Sequence, residues 1–209
     1  MRLSAQLYFI LLFNISIFIS ASAQKKWKKV TLEKANTAKD ADYMTAEEKG
    51  VIFYYNLVRL EPELFMETYA KKYIDSTGEK SGYVKSLNKT LKSLKSEEVL
   101  MPSEKLYLTA EAHALDFGKS GQIGHGNFAK RFQKYVKDCE CEAGENCDYG
   151  NDQALIIVMR LLIDEDISNL SHRNNILNPS FKNIGVSISP HKKYVWNCVM
   201  DLGAAPRIH

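Results

Sequence analysis

The chain has no apolar run of the roughly 20 residues that cross a bilayer as a helix. Its longest, Leu7 to Ile19, is interrupted by Asn14 and Ser16. It also has no P-loop, no Gly-x-Gly-x-x-Gly and no His-Glu-x-x-His, so the sequence offers neither a phosphate cradle, a dinucleotide turn nor the helical zinc site of a metalloprotease. Neither charge sign dominates: 28 basic and 25 acidic residues give +3. Residues 24–40 hold six lysines and two acids, whereas residues 41–209 hold 21 bases and 23 acids. The basicity therefore belongs to the N-terminal end, and the rest offers no global charge for binding nucleic acid. No internal repeat is present, and with 45% hydrophobic and 25% charged residues over 209 positions, disorder and collagen-like order are excluded. One globular domain with attachments remains.

The first attachment is an address. Arg2, the apolar run and Ala21-Ser22-Ala23 make a secretory signal peptide over residues 1–23, cut after Ala23; a spanning anchor is the alternative, kept open by Lys25, Lys26, Lys28 and Lys29. Residues 24–43 lack an apolar period and read as a lysine-rich exposed arm, leaving residues 44–209 as the domain. Export places Cys139, Cys141, Cys147 and Cys198 in an oxidising compartment, where disulfides are expected. Pairing Cys139 with Cys141 is the least attractive choice, so a bridge should tie the 139–147 loop to the segment holding Cys198. Zinc at the cysteines is the alternative, although their spacing lacks the usual paired pattern.

Thr45-Ala-Glu-Glu48 has capping-box spacing, and Val51, Tyr54, Tyr55 and Val58 follow at helical intervals, predicting a helix from about Thr45 to Leu60. Pro62 restarts a second stretch to about Ile74. Val84, Leu87, Leu91 and Leu94 outline a thin amphipathic helix, and Leu106, Ala110, His113 and Phe117 share a face of another beginning near Ser103. Gly118 to Gly126 reads as loop or short strand, and residues 138–150 as an acidic, Cys-rich loop. The run from Ala154 to Ile163 is apolar on nearly all sides and predicts a buried helix. A short helix over Ser171–Leu177 follows. Ile184, Val186 and Ile188, a turn at 190–193, and alternation from Tyr194 to Leu202 predict a β-hairpin with one face on a core. The order indicates an α+β domain.

Two histidines stand out. His125 lies between Gly124 and Gly126, and His172 opens Ser171-His-Arg-Asn-Asn-Ile-Leu177; Gly144-Glu145-Asn146 and the triplet Asp164-Glu165-Asp166 lie between them. Two imidazoles and two carboxylates can hold a divalent cation or work as an acid/base set. His113 reads as a hydrogen-bonded core residue, and His191 and His209 as solvated. Ser171 has no strand-turn-helix elbow around it, which disfavours a serine nucleophile, and oxidised thiols disfavour a cysteine nucleophile. Asn88-Lys-Thr90 and Asn169-Leu-Ser171 fit the glycosylation acceptor pattern.

Taken in order, Asn56-Leu-Val-Arg59, the helix Leu106 to Ala114, Gly124-His125, Gly144-Glu-Asn146, Ser171 to Leu177 with Ile184-Gly-Val186, and the closing strand Tyr194 to Gly203 resemble the CAP superfamily of cysteine-rich secretory proteins, antigen 5 and pathogenesis-related proteins, in its bacterial form. The resemblance covers about residues 45–205. It implies an α-β-α sandwich with a small antiparallel sheet flanked by helices, and a shallow cavity carrying a tetrad of two histidines and two glutamates. His125, Glu145 and His172 match that tetrad; Glu165, preferred over Asp164, is the fourth member. The implied cofactor is a divalent cation such as zinc, with His125 and His172 as ligands and the acids orienting them. The implied partners are an extracellular ligand, a lipid or sterol, or a cell-surface polymer. A metal-dependent hydrolase with Glu145 as base is the competing expectation.

Overall fold

The computed structural model describes residues 27–136 and 141–204, so the expected signal peptide, Cys139 and His209 lie outside the described residues. In chain order the elements are α1 (Lys29–Ala35), α2 (Ala46–Leu60), α3 (Pro62–Phe65), a π-helical turn (Met66–Ala70), α4 (Lys71–Thr77), α5 (Gly82–Ser93), β1 (Met101–Pro102), α6 (Glu104–Ser120), α7 (Phe128–Tyr135), β2 (Ala143–Tyr149), α8 (Ala154–Ile163), α9 (Ser171–Leu177), β3 (Asn183–His191) and β4 (Val195–Gly203). The strands form one sheet in the order β1-β3-β4-β2. Its main pairs are antiparallel, and two residues of β1 run parallel to β3. This is the expected α+β class, with helices on both faces of a small sheet.

The first turn of α2 ties distant elements together. Thr45 and Glu48 form the reciprocal capping box. The second Glu48 oxygen accepts the Ile188 amide at 2.8 Å, and Glu47 accepts the Ala154 amide at 2.8 Å. The first amide of helix α8 is thus satisfied by Glu47, from the other end of the chain. At the other end of α2, Arg59 is fully buried and donates to the carbonyls of Glu98, Ile176, Asn178 and Phe181. Burial lowers its pKa to about 10 although Glu97 and Glu98 oppose the shift. Asn56 donates to the Ala35 and Leu100 carbonyls and accepts the Leu100 amide.

Alternation along β3 explains the layering. Ile184, Val186 and Ile188, with Cys198, Met200 and Leu202 of β4, face the core shared with α2 and α8. Gly185, Ser187 and Ser189 face the other way, toward α6. At Gly185 a Cβ would lie 2.0 Å from the Tyr107 nitrogen, and at Gly118 it would lie 2.3 Å from the Pro190 oxygen. Helix α6 can therefore lie flush on the strand. The hairpin was expected to bury one face, but α6 covers the second, and Ser187, Asn197 and Asp201 are buried there.

Other expectations are corrected. The segment read as an exposed arm contains α1 and places Trp27, Ala35, Ala38 and Ala41 in the core, with the Trp27 indole donating to Thr68 at 3.1 Å. Its buried residues are mostly alanines, which give little apolar signal, while Lys29, Lys34 and Lys39 stay outside. Residues 143–149 are a strand and not part of a loop. Cys147 and Cys198 are buried free thiols, so no bridge joins the 139–147 region to Cys198. Strand register gives the reason: Cys147 pairs opposite Val199 and Cys198 opposite Asp148, which puts the two thiols on opposite faces. Cys141 is disulfide-bonded, and the bridge reaches neither free thiol. His191, expected to be solvated, is buried with its Nε2 2.8 Å from the Gln122 oxygen.

Candidate functional site

Strand β2 forms one edge of the sheet, and its residues alternate between the two faces. Glu145 and Cys147 turn toward α6, while Asn146 and Asp148 turn toward α8 and α9. Gly144 permits this edge to be covered, since a Cβ there would lie 2.9 Å from the Phe181 ring. Helix α9 then docks through Asn175, whose Nδ2 donates to Asn146 Oδ1 at 2.9 Å and to the Glu145 carbonyl at 3.3 Å. Asn146 in turn donates to the His172 carbonyl and to Tyr55 Oη. The Gly144-Glu-Asn motif thus seats the helix that carries His172.

Glu145 is the hub on the α6 side. His125 Nδ1 donates to one carboxylate oxygen at 2.9 Å and His113 Nδ1 to the other at 2.9 Å. Arg131 also donates to that second oxygen and approaches His113 Nδ1 to 2.9 Å. Burial pushes the Glu145 carboxyl up, but the bonds from both imidazoles and the charges beside it outweigh burial and bring it down to about 2. Opposite it in register lies Asp201, fully buried. Burial and the neighbouring Glu145 charge drive its pKa far above the ordinary carboxyl value, so it keeps its proton. Glu145 is therefore a saturated anion and a weak base, which argues against its expected role as the base of a hydrolase.

His125 sits in the loop after α6. Tyr149 Oη accepts the Gly124 amide at 2.9 Å, and Arg131 donates to the His125 carbonyl at 3.0 Å. Its ring is about half exposed, and the bond to Glu145 raises its pKa above the ordinary histidine value.

His172 is held by Asp164. That aspartate ends α8 in the left-handed conformation, φ 57°, which turns its carboxylate onto α9. Oδ2 accepts the His172 and Arg173 amides at 3.0 and 3.1 Å, and Oδ1 accepts His172 Nδ1 at 2.7 Å. Glu165, expected to be the fourth tetrad member, does not bond His172; the shorter Asp164 at the helix end bonds the imidazole and the first α9 amides together. Arg173 secures the junction by donating to the Leu162 and Ile163 carbonyls at the end of α8.

The two carboxylate-held rings, His125 and His172, stand 6.5 Å apart between centroids. In each, Nδ1 is engaged by the carboxylate and Nε2 is left as the nitrogen able to coordinate. A cavity of about 400 Å³ opens beside His172, lined by Asp148, Asp164, Glu165, Asp166 and Glu79 against Arg160. Asp148 is bonded by Arg160 at 2.7 Å. This lining favours a cation.

A second donor group, missed from the sequence, is His113, Glu145 and Cys147, whose donor atoms lie within 4.8 Å of one another. Arg131 already neutralises Glu145 there, and burial raises the Cys147 thiol well above its ordinary pKa. Both effects oppose a metal ion at that triad. His113 is the hydrogen-bonded core residue that its place on the apolar face of α6 indicates, but its helical spacing from Ala110 and Phe117 carries no sign of the Glu145 partner on β2.

The family model described as "Cysteine-rich secretory protein family" (CAP) matches residues 92–201, more than half of the chain. No curated protein matches the chain. Among solved structures it is similar to an extracellular protein containing an SCP domain from Bacillus anthracis, at 19% identity and a TM-score of 0.43, covering 52% of this chain and 35% of that one. It is also similar to an outer surface protein from Borrelia burgdorferi, at 20% identity and a TM-score of 0.42, covering 58% of this chain and 87% of that one. This chain spans about a third of the Bacillus protein. From the match over residues 92–201, the chain belongs to the CAP, or cysteine-rich secretory protein, family.

Proposed function

We propose that this protein is an exported CAP-domain module that binds a divalent cation between His125 and His172, with Glu145 and Asp164 as the carboxylates that orient the two rings. The observation that carries the reading is the pair of carboxylate–imidazole couples, Glu145–His125 and Asp164–His172, with ring centroids 6.5 Å apart. A carboxylate on Nδ1 fixes the tautomer and makes Nε2 a better ligand. The acid-lined cavity beside His172 adds a favourable field and room for water or a small ligand to complete the coordination. Bound there, the ion supplies Lewis acidity; the chain's own groups supply the two ring nitrogens, their orientation, and acceptors at the rim. Export rests on the apolar N-terminal run and the Ala-Ser-Ala cleavage pattern.

The test is calorimetric titration with zinc at neutral pH of the wild type and of the His125→Ala/His172→Ala double variant. The wild type should bind one ion, and the variant should bind at least about tenfold more weakly. Equal binding by both proteins, or no binding by the wild type with thermal destabilisation of the variant, reduces the couples to a structural network and rejects the reading.

A further inference from the structure

The turn of the β3–β4 hairpin and the loop after α6 form one surface. Lys192 donates its amide to the Gly118 carbonyl at 2.9 Å, and the side chains of Lys192 and Lys193 lie over Gly121. His191 meets the Gln122 carbonyl from below, while Tyr149 contacts the Tyr194 ring at 5.7 Å and bonds Gly124. Three large apolar residues project here with little cover: Ile123 is 58% exposed, Tyr194 44% and Val195 70%. Val195 also has φ 69°, a conformation a β-branched residue adopts only under strain. Lys119, Lys192 and Lys193 are all exposed around them. No Asp or Glu occurs from residue 117 to 137 or from 167 to 200; the exposed Asp116 stands three residues before Lys119 on α6, so Lys192 and Lys193 are the pair with no acid in their own segment.

From this juxtaposition we infer that the tip formed by Ile123, Tyr194 and Val195, ringed by Lys119, Lys192 and Lys193, docks onto the surface of an anionic lipid bilayer. Lysines alone would suit any polyanion. The three exposed apolar side chains select the bilayer, because they leave water only where a hydrocarbon boundary receives them, and an aromatic ring beside lysines is the composition of an interfacial anchor. The strained Val195 fits the same reading: the turn holds a valine out of the core at a position where a polar residue or glycine would cost less. The inference does not depend on metal binding; it would however hold the His125 loop, two residues from Ile123, close to the membrane.

The experiment is co-sedimentation of the full mature chain with vesicles of phosphatidylcholine alone and of phosphatidylcholine with phosphatidylglycerol. The wild type should bind the anionic vesicles and leave the neutral ones. Ile123→Ser/Val195→Ser keeps every lysine, including those ahead of Trp27, and should lose about tenfold or more in vesicle binding. Lys192→Glu/Lys193→Glu should lose at least as much. Thermal melting of each variant confirms that it folds. Undiminished binding by the Ile123/Val195 variant overturns the inference, because attraction would then be purely electrostatic; so does wild-type binding that soluble dextran sulfate abolishes while the Lys192/Lys193 variant binds as before, which would place the contact elsewhere on the chain.

Discussion

Two kinds of buried polar cluster in this molecule are built in opposite ways. Arg59 and Arg173 are both fully buried and are bonded largely by backbone carbonyls, four around Arg59 and three around Arg173, with Ser86 completing the latter. Among the described residues neither forms an ion pair. The cluster at Glu145 instead gathers charged and titratable side chains, His113, His125, Arg131 and Asp201, and among the described residues it leaves His113 Nε2 and Arg131 Nε unpaired. A buried polar group without a partner costs about 1–3 kcal/mol. The arginines therefore act as fasteners for chain segments, whereas the Glu145 cluster gives up stability, which is the expected signature of a region shaped for binding.

Removing a fastener should have the largest effect. Arg59→Met leaves four carbonyls without a donor and should destabilise by roughly 4 kcal/mol or more in urea denaturation. A loss below about 1 kcal/mol would show that water replaces the guanidinium and would erase the contrast between the clusters. Next comes the pairing of His172: Asp164→Asn should weaken zinc binding about 10- to 100-fold in calorimetry, and Glu165→Gln should leave it within about twofold. The reverse ranking would restore Glu165 to the tetrad. The smallest effect concerns Asp201, which is neutral in the fold but ionised in the unfolded chain above the ordinary carboxyl pKa. The folded state then holds an extra proton, so this group's contribution to stability falls as pH rises. Asp201→Asn removes that loss, and melting curves should show it about 1 kcal/mol more stable than wild type at pH 7 and little different near pH 4. A variant less stable at pH 7 would mean that Asp201 is ionised and paired.

Periodicity recovered the parts of the fold in which apolar residues recur. It found α2 with its capping box and the apolar α8 within a residue of their observed ends, and it found the β3–β4 hairpin, although β3 runs on to His191 through the first half of the turn expected at 190–193. It failed where burial falls on small or polar residues. Strand β2 reads Ala-Gly-Glu-Asn-Cys-Asp-Tyr, with Glu145, Asn146 and Asp148 all buried, a pattern that looks like a surface loop because each polar group has a partner far away in sequence. The alanines of residues 35–41 disappear among lysines for a similar reason. At the site, motif order brought His125, Glu145 and His172 forward, and the structure brings these residues into one neighbourhood. The choice between Asp164 and Glu165 depended on a left-handed residue at the end of α8, a backbone property that composition does not record. The expected bridge to Cys198 is not formed, because cysteine spacing says nothing of which sheet face a thiol takes.

The first turn of α2 has a kinetic consequence. Glu47 and Glu48 accept amides 107 and 140 residues away in the chain. The capping box of Thr45 and Glu48 can form as soon as the local helix does, but Glu47 and Glu48 reach their distant partners only once α8 and β3 have docked. Loop closure over such separations costs entropy before the bonds reward it, so both bonds depend on the docking of α8 and β3. Unfolding has to break them together with the sheet and α8, and the N-terminal end of α2 is thereby the place where the early and late halves of the chain are committed to opening as one.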